Sequence, residues 1–548
     1  MKFSALLLHV LLPLCTILGL VFAVLYRAVP SAFERLSRLF SRSFWVVGAT
    51  VMIAVYALAL VFNLYLPMVI DTAESTVASA AYLWAHGSPL YLAANQAEHY
   101  SIMYGPLCYI PFAGALLVFG ASIFSLKLLV LLFNLLLFLT IWLVFRPILG
   151  KTGALSAMAF VACAFLMKGM STLMIRGDAP LALCAALALL AVSLRRSYLA
   201  VALFALSAAF AGNVKFTAVF YFLVPFYFLW RRYGWGAAIV TAIITPPLIL
   251  APFALPHVPL RAYLDTLHGA SRQPLGLNVV AMNVVAALIL LVPPVLAFSR
   301  FYLADKPRAL ASLRSHWILA VLFLMSIGGS VLTGGKLGSG RPHLNPTFII
   351  AAYLAALIWR ETGAVRSELV NVFACAFAVY AIVMVLPAVD QLHDMWGLCV
   401  ERRAYALEVV SDITGVLLEH PGQLVEMGYD ETPKAGAMVS DLTQFRPNLV
   451  FAGNPDSTDA VAISDMELSG IAIPQATIDL VRSCRTQIWL IPRDGSPFST
   501  LNLYAEAAPQ RFSDLHMFSP AFRSAFFDTY RKVGSSRFYD IWACSTHG

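Results

Sequence analysis

The residues best suited to chemistry are carboxylates that stand just outside long apolar segments. Asp71 and Glu74 follow the apolar segment 44–66, and Asp178 precedes another at 179–194. A carboxylate beside the hydrocarbon is partly desolvated, which raises its pKa and suits it to act as a general base toward a hydroxyl group. The same spacing predicts a capping box, with Asp71 as N-cap and Glu74 at the third helical position. Capping and catalysis are compatible, because a capped carboxylate is also a positioned one.

Polar and aromatic residues are interleaved in the loop that follows. Glu98, His99, Tyr100 and Tyr104 lie close together in the chain. Tyrosine rings stack on sugar faces and carboxylates accept hydrogen bonds from sugar hydroxyls, so we predict a surface that contacts a sugar or a lipid head group. An alternative is a divalent-metal site built from Asp71, Glu98 and His99, although their spacing matches no specific metal motif.

Cations that suit a phosphate follow in the glycine-rich segment 334–346. It holds Lys336, Arg341 and His343 among glycines whose backbone N–H groups are accessible to an anion. The GxxxxGK[ST] pattern of nucleotide-binding loops is absent. The alternative is a flexible turn whose cations extend toward the lipid interface. Further predicted contacts come from Arg176 and Lys215 for the phosphate, and from Arg261, His268 and Arg272 for the acceptor or the sugar.

A membrane-embedded helical bundle must position these residues. The chain has 548 residues, 60% of them hydrophobic, and a mean hydropathy of +0.79. A helix needs about 20 apolar residues to cross a bilayer, and the sequence offers many such runs. We predict a polytopic α-helical membrane protein with about twelve transmembrane helices, at 5–26, 44–66, 126–145, 153–170, 179–194, 198–213, 215–230, 236–255, 278–298, 317–334, 347–360 and 369–388.

The distribution of Lys and Arg places the candidate residues on the extracytoplasmic side. The first outer loop, 67–125, has no Lys or Arg, although the chain carries a formal charge of +8. Other connections hold pairs of cations, such as Arg146 with Lys151, which is typical of cytoplasmic loops. This asymmetry holds only if the apolar run 106–124 dips into the outer leaflet without crossing. Both chain termini are then predicted to lie outside.

The composition changes after residue 388, so we divide the chain into a transmembrane bundle, 1–388, and a soluble extracytoplasmic α/β domain, 389–548. Turn signals there separate a helix at 403–419 from short runs typical of strands, at 423–427, 448–452, 487–491 and 538–543. Cys484 and Cys544 each neighbour a predicted strand that contains tryptophan. We predict a disulfide between them, since an extracytoplasmic compartment is oxidising.

The order of these motifs resembles the C-type glycosyltransferase (GT-C) superfamily, and in particular the branch with the lipid A aminoarabinose transferase and the protein O-mannosyltransferases. The resemblance covers roughly residues 44–360, and the extra segment 5–26 departs from it. The motifs, in chain order, are Asp71 and Glu74, Gly87-x-Pro89-x-Tyr91, Tyr104-Gly105-Pro106, Phe119-Gly120, Asp178, and Lys336-x-Gly338-Ser339-x-Arg341.

This resemblance implies an inverting transfer of a sugar from an undecaprenyl-phosphate donor to a glycan, lipid or protein of the cell envelope. Asp71 would be the general base or would orient the acceptor, with Glu74 in support and Asp178 as a second active-site carboxylate. Lys336 and Arg341 would hold the donor phosphate. The enzyme would lie in the bacterial inner membrane with its active site in the periplasm. The net positive charge requires no nucleic-acid partner, since most of it falls in the loops predicted to be cytoplasmic, and no cofactor is certain.

Two alternatives stay open at this point. An oligosaccharide ligase or polymerase would use a diphosphate-linked lipid donor in place of the monophosphate. A secondary transporter would carry ionisable groups near the bilayer midplane on broken helices of paired repeats. The sequence favours an enzyme over a transporter, because its ionisable residues gather at one end of the predicted helices and no repeat is visible.

Overall fold

The computed structural model describes residues 42–166, 171–362, 368–430, 441–502 and 515–545. Within them a helical bundle leads into a small mixed domain built on a four-stranded sheet. The predicted helix 5–26 lies outside the described residues, as do the last four residues of the predicted helix 153–170.

Seven helical segments of the described part are long and apolar enough to cross a membrane, so the chain is a multi-pass membrane protein. The segments are Val46–Tyr65, Ile123–Leu166, Ser197–Val214, Phe216–Ala254, Leu277–Tyr302, Trp317–Gly334 and Pro342–Glu361. The predicted number of about twelve is not confirmed. The predicted helix 179–194, for example, is only 14 residues long, at Asp178–Ala191.

Two of these segments are each interrupted at one glycine. Gly150 has φ 73° and ψ −176°, and Gly234 has φ 84° and ψ −179°, so each ends one helix and begins the next. A positive φ carries no steric penalty for glycine. Both interruptions fall between two predicted transmembrane helices, and Lys151 and Arg232 stand beside them. The helix ends therefore coincide with the basic connections predicted to be cytoplasmic.

The bundle helices are numbered in chain order. They are α1 Arg42–Tyr65, α2 Thr72–Ala85, α3 Ile110–Phe119, α4 Ile123–Leu166, α5 Asp178–Ala191, α6 Ser197–Val214, α7 Val219–Leu250, α8 Leu260–Ser271, α9 Leu277–Ala304, α10 Lys306–Ser315, α11 Trp317–Gly334, α12 Asn345–Thr362 and α13 Glu368–Glu419. Helix α3 has ten residues, about half the length that a crossing requires. This length fits the prediction that 106–124 only dips into the membrane.

Helix α5 lies at the centre of the bundle and packs against α4, α6 and α12. Its sequence is rich in alanine, and almost all of its residues are buried. Small side chains let neighbouring helices approach closely in a membrane, where packing replaces the hydrophobic effect as the main attraction. Because Asp178 is the first residue of α5, this packing holds its carboxylate in a defined position at the end of the bundle.

The C-terminal domain contains a mixed sheet in the order β1-β2-β4-β3. Strands β1 and β2 are parallel, with Val425 opposite Ile488, and the other two pairings are antiparallel. Cys484 and Cys544 form a disulfide beside the sheet. The elements of the domain are β1 Val425–Met427, α14 Arg446–Phe451, α15 Ala460–Leu468, α16 Gln475–Arg482, β2 Ile488–Pro492, α17 Pro520–Thr529, β3 Tyr530–Ser535 and β4 Tyr539–Cys544.

The structure corrects the predicted secondary structure of this domain at two places and extends one helix. The predicted strand 448–452 is wrong, since Arg446–Phe451 is a helix with Pro447 in its first turn, where proline is favoured. Strand β3 was not predicted, because most of its side chains are exposed and two of them, Arg531 and Lys532, are charged. Helix α13 runs unbroken through residue 388, so the predicted helices 369–388 and 403–419 are one.

Candidate active site

The first outer loop opens with the predicted capping box. Asp71 is the N-cap of α2 and accepts a hydrogen bond from the backbone N–H of Ala73 at 2.8 Å. Oε1 of Glu74 accepts from the backbone N–H groups of Ile70 and Asp71, at 2.8 and 3.1 Å. Both carboxylates are therefore held by backbone donors within the same turn, which fixes the direction of the Asp71 side chain.

Glu74 also joins α2 to the segment that precedes α5. Its Oε2 accepts from the backbone N–H of Ile175 at 2.8 Å, and its side chain is fully buried. Burial raises the pKa of Glu74, an effect opposed by nearby Lys127 and by the N–H donors. With both oxygens occupied and no exposed surface, Glu74 is placed to support the site rather than to meet a substrate.

Arg176 brings the two other predicted carboxylates together. Its Nη1 lies 3.0 Å from Oδ2 of Asp71, and its Nε lies 3.5 Å from Oδ2 of Asp178. The same guanidinium donates from Nη2 to the hydroxyl of Tyr104 at 3.2 Å. The side chain of Asp71 is 35% exposed, against 4% for Asp178. Asp71 is therefore the carboxylate of this group that a substrate can reach.

Lys215 stands beside this group, between α6 and α7. Its Nζ lies 5.4 Å from the ring centroid of Tyr104. Burial lowers the pKa of Lys215 to about 8, although Asp178 favours its charged form. The ring of His343 lies close enough to Lys215 and Arg176 to interact electrostatically with both. The residues Asp71, Tyr104, Arg176, Asp178 and Lys215 are called the Arg176 cluster below.

Lys336 does not join the Arg176 cluster through any of its hydrogen bonds. Its Nζ donates to the carbonyls of Ala270 and Ser271, at 2.8 and 3.1 Å, at the C-terminal end of α8. Carbonyls at a helix C-terminus lack intrahelical partners and attract a cation. Lys336 therefore fixes the glycine-rich segment to α8. The side chain of Arg341 lies outside the described residues.

The other predicted contacts of the first outer loop face the C-terminal domain. Glu98 forms an ion pair with Arg485, and the backbone of His99 pairs with that of Thr458. Within the described ranges no three His, Cys, Asp or Glu residues lie together so that they could hold a metal ion. Asp71, Glu98 and His99 are thus not brought together as the metal alternative requires.

Helix α8 carries three of the predicted substrate contacts. Arg261 and His268 are exposed on α8, and Arg272 is its C-cap. Their spacing of seven and four residues puts them on one face of a helix. Tyr100 is buried, and its hydroxyl donates to the carbonyl of Pro89.

The sequence analysis did not find a buried ionic group that connects α2 to the C-terminal domain. Arg446 lies 3.2 Å from Asp456 and also pairs with Asp459. Asp459 in turn accepts a hydrogen bond from the hydroxyl of Thr76, which lies on α2, at 2.8 Å. The only local signal was Asp459 as the N-cap of α15; its partners are remote in the sequence.

The chain resembles known proteins both in sequence, over part of its length, and in fold. Residues 105–257 match the family model described as dolichyl-phosphate-mannose-protein mannosyltransferase. Two crystal structures of ArnT from Cupriavidus metallidurans, one bound to undecaprenyl phosphate and one in the apo state, match with a TM-score of 0.51 each. They are 13% and 14% identical to this chain, and the matches cover 92% and 91% of it and 98% of each ArnT chain. A comparison with curated protein sequences finds no match.

A weaker structural match is the arabinosyltransferase EmbB from Mycobacterium smegmatis. It is 15% identical, with 70% of this chain and 45% of EmbB covered, and its TM-score of 0.38 is too low to carry an argument. The family-model match and the fold shared with ArnT agree with each other. The ArnT matches show the fold of this chain, and the family-model match to residues 105–257 agrees with the resemblance that the order of the sequence motifs indicates.

Proposed function

We propose that this membrane protein is a GT-C glycosyltransferase that moves a sugar from a polyprenyl-phosphate donor to a hydroxyl group at the extracytoplasmic face of the bacterial inner membrane. The observation that carries the proposal is the Arg176 cluster, in which one guanidinium joins two carboxylates at the N-terminal end of α5. The matched family model names dolichyl-phosphate-mannose, and one ArnT structure holds undecaprenyl phosphate. Both names support a polyprenyl-phosphate donor.

Asp71 is the proposed general base. Its Oδ1 is held by the N–H of Ala73 and its Oδ2 by Arg176, and the carboxylate is exposed at its outer edge. A carboxylate that lies within hydrogen-bond reach of a hydroxyl group can accept its proton as that oxygen attacks. As the acceptor oxygen forms its bond to the anomeric carbon, its proton passes to Asp71. The bond from that carbon to the phosphate oxygen breaks, and a single displacement inverts the anomeric centre.

The cations of the cluster stabilise the leaving group. When the glycosidic bond breaks, its electron pair stays on the phosphate, which gains negative charge. Lys215 and Arg176 are the proposed partners of that phosphate, with His343 beside them. Fixed cations bind the departing phosphate more strongly than the intact donor, so they lower the barrier of the chemical step. Lys336 has a different proposed role, since it holds the glycine-rich segment against α8.

The test is sugar transfer by the purified protein in lipid nanodiscs, with undecaprenyl-phosphate sugars as donors and extracted envelope glycolipids as acceptors. We expect Asp71→Asn to lose at least about a thousandfold in turnover, in line with the removal of a general base that also orients the acceptor. The variant should still bind undecaprenyl phosphate. Normal turnover by Asp71→Asn would exclude Asp71 as the base.

A matched control is Asp494→Asn. Asp494 is exposed in the C-terminal domain, and its positive φ of 63° is a conformation that asparagine also tolerates. This variant makes the same chemical change outside the Arg176 cluster, so it should retain full activity. Assays with a diphosphate-linked lipid donor distinguish the proposed transferase from an oligosaccharide ligase. Transfer from the diphosphate-linked donor alone would contradict the proposal.

A further inference from the structure

A cavity of about 60 Å³ lies where three parts of the chain meet. The first outer loop, helix α8 and helix α15 with the turn that follows it form its walls. A single water needs roughly 10–15 Å³, so the cavity has room for several polar groups of a ligand. Its polar lining consists of His99, Tyr100, Ser101, Asp265, Thr266, Asp465 and Ser469.

One wall of the cavity holds a buried polar atom without a partner. His99 is 6% exposed, and its Nε2 makes no hydrogen bond. A buried polar group that stays unpaired costs about 1–3 kcal/mol, so such atoms are rare in folded proteins without a ligand or a water nearby. Burial lowers the pKa of His99 to about 4, so the ring is neutral at physiological pH and offers one donor or acceptor at Nε2.

The charge of the lining is negative. Asp265 is exposed at the edge of the cavity, and Asp465 is half-buried in its wall. Oδ1 of Asp465 receives one long hydrogen bond from Gln273, at 3.4 Å. Burial raises the pKa of Asp465 to about 7. No Lys or Arg is among the described residues that line this cavity, and Lys336, which contacts the carbonyl of the lining residue Ala270, already has backbone carbonyls as partners. The lining itself therefore repels an anion.

The cavity is adjacent in the chain to the Arg176 cluster. Met103 lines the cavity, and the next residue, Tyr104, accepts the hydrogen bond from Arg176. The same Arg176 pairs with Asp71, so one chain neighbour and one guanidinium connect the cavity wall to the proposed base. Tyr100 belongs to the same wall.

We infer that this cavity is the acceptor subsite, and that it takes a sugar unit carrying hydroxyl or amino groups and no negative charge. The inference rests on the proposed function and narrows it to acceptors whose reacting unit is not phosphorylated or carboxylated. It also gives the C-terminal domain a part in substrate recognition, because α15 supplies Asp465 to the wall. Hydroxyl and ammonium groups would donate to Asp465 and satisfy Nε2 of His99.

Protection from labelling tests the inference without any transfer reaction. Ala270 lines the cavity and is half-buried, so Ala270→Cys would place a thiol there. The full-length variant in nanodiscs is treated with a small methanethiosulfonate reagent, and the wild-type chain gives the background from its own cysteines. We expect methyl glucoside and glucosamine at millimolar concentrations to slow labelling, and glucose 6-phosphate not to. Protection by glucose 6-phosphate, or by none of the three sugars, would overturn the inference.

A charge change at the edge of the cavity gives a second measurement. Asp265 is exposed, so Asp265→Lys should fold normally. Combined with Ala270→Cys, it should let glucose 6-phosphate protect the thiol, shifting its relative affinity by at least about tenfold. If the three sugars protect the thiol in the same order of effectiveness with and without Asp265→Lys, the cavity is not their binding site. These outcomes are independent of the Asp71→Asn test. If Asp71→Asn loses transfer but no sugar protects the thiol at position 270, only the subsite is refuted. If a sugar protects the thiol but Asp71→Asn turns over normally, only the proposed mechanism is refuted.

Discussion

The hydroxyl of Thr76 donates a hydrogen bond to Oδ2 of Asp459 at 2.8 Å, joining two residues that are 383 positions apart. Thr76 lies on α2, the helix that begins after Asp71, and Asp459 is the N-cap of α15 in the C-terminal domain. Arg446 pairs with the same carboxylate from inside that domain. The C-terminal domain is therefore connected to the helix whose N-cap is the proposed base.

Removal of the Thr76 hydroxyl should weaken this connection. We expect Thr76→Val to lower kcat by at least about tenfold with little change in the KM of the donor, because a lost hydrogen bond to a charged group is worth about 1.5–3 kcal/mol and about 1.4 kcal/mol is a factor of ten in rate. Thr76→Ser keeps the hydroxyl and should recover activity. Kinetics of both variants, with thermal unfolding as a fold check, would test this, and a loss that Thr76→Ser does not recover would point to packing instead.

Arg176→Lys should strongly reduce activity, although it keeps the positive charge. The guanidinium contacts Asp71, Asp178 and Tyr104 through three different nitrogens. A lysine ammonium is a single point and cannot contact all three at these distances. We expect kcat to fall by at least about a hundredfold. Arg482→Lys, at an exposed ion pair on α16, is the matched control, and equal activity of both variants would exclude a positioning role for Arg176.

The pKa of Lys215 predicts a basic limb in the pH profile. Burial lowers that pKa from 10.5 to about 8, so the ammonium loses its proton as the pH rises through about 8. If the ammonium binds the donor phosphate, kcat/KM should fall over the same range. Lys215→Arg keeps its charge and should move the fall to higher pH. A basic limb that is identical in both proteins would assign it to another group.

The Cys484–Cys544 disulfide should stabilise the C-terminal domain. It links cysteines 60 positions apart, and closing a loop of that size is worth roughly 4 kcal/mol in the chain-entropy account. We expect the double variant Cys484→Ser with Cys544→Ser to unfold at a lower temperature. Cys399→Ser removes a cysteine that forms no disulfide in the described structure and should leave the unfolding temperature unchanged. Equal unfolding temperatures for wild type and the double variant would contradict this account.

Local features of the chain were predictable from short stretches of sequence. The capping box of Asp71 and Glu74 forms within four residues, so the spacing alone determines which backbone donors it satisfies. The long apolar helices and the basic connections between them likewise follow from composition and charge. The strand predicted at 448–452 was wrong because a short apolar run suits a buried helix as well as a strand.

The tertiary structure decided which of the candidate residues act together. The sequence placed Asp71 and Asp178 on one side of the membrane, yet only folding shows that Arg176 contacts both. Lys336, in a segment that suggested a phosphate site, is bound instead by carbonyls at the end of α8. Such contacts depend on how helices pack and on which remote backbone groups lack partners. A single sequence specifies hydrogen bonds between near neighbours, whereas pairs separated by hundreds of residues are set by packing of the whole chain.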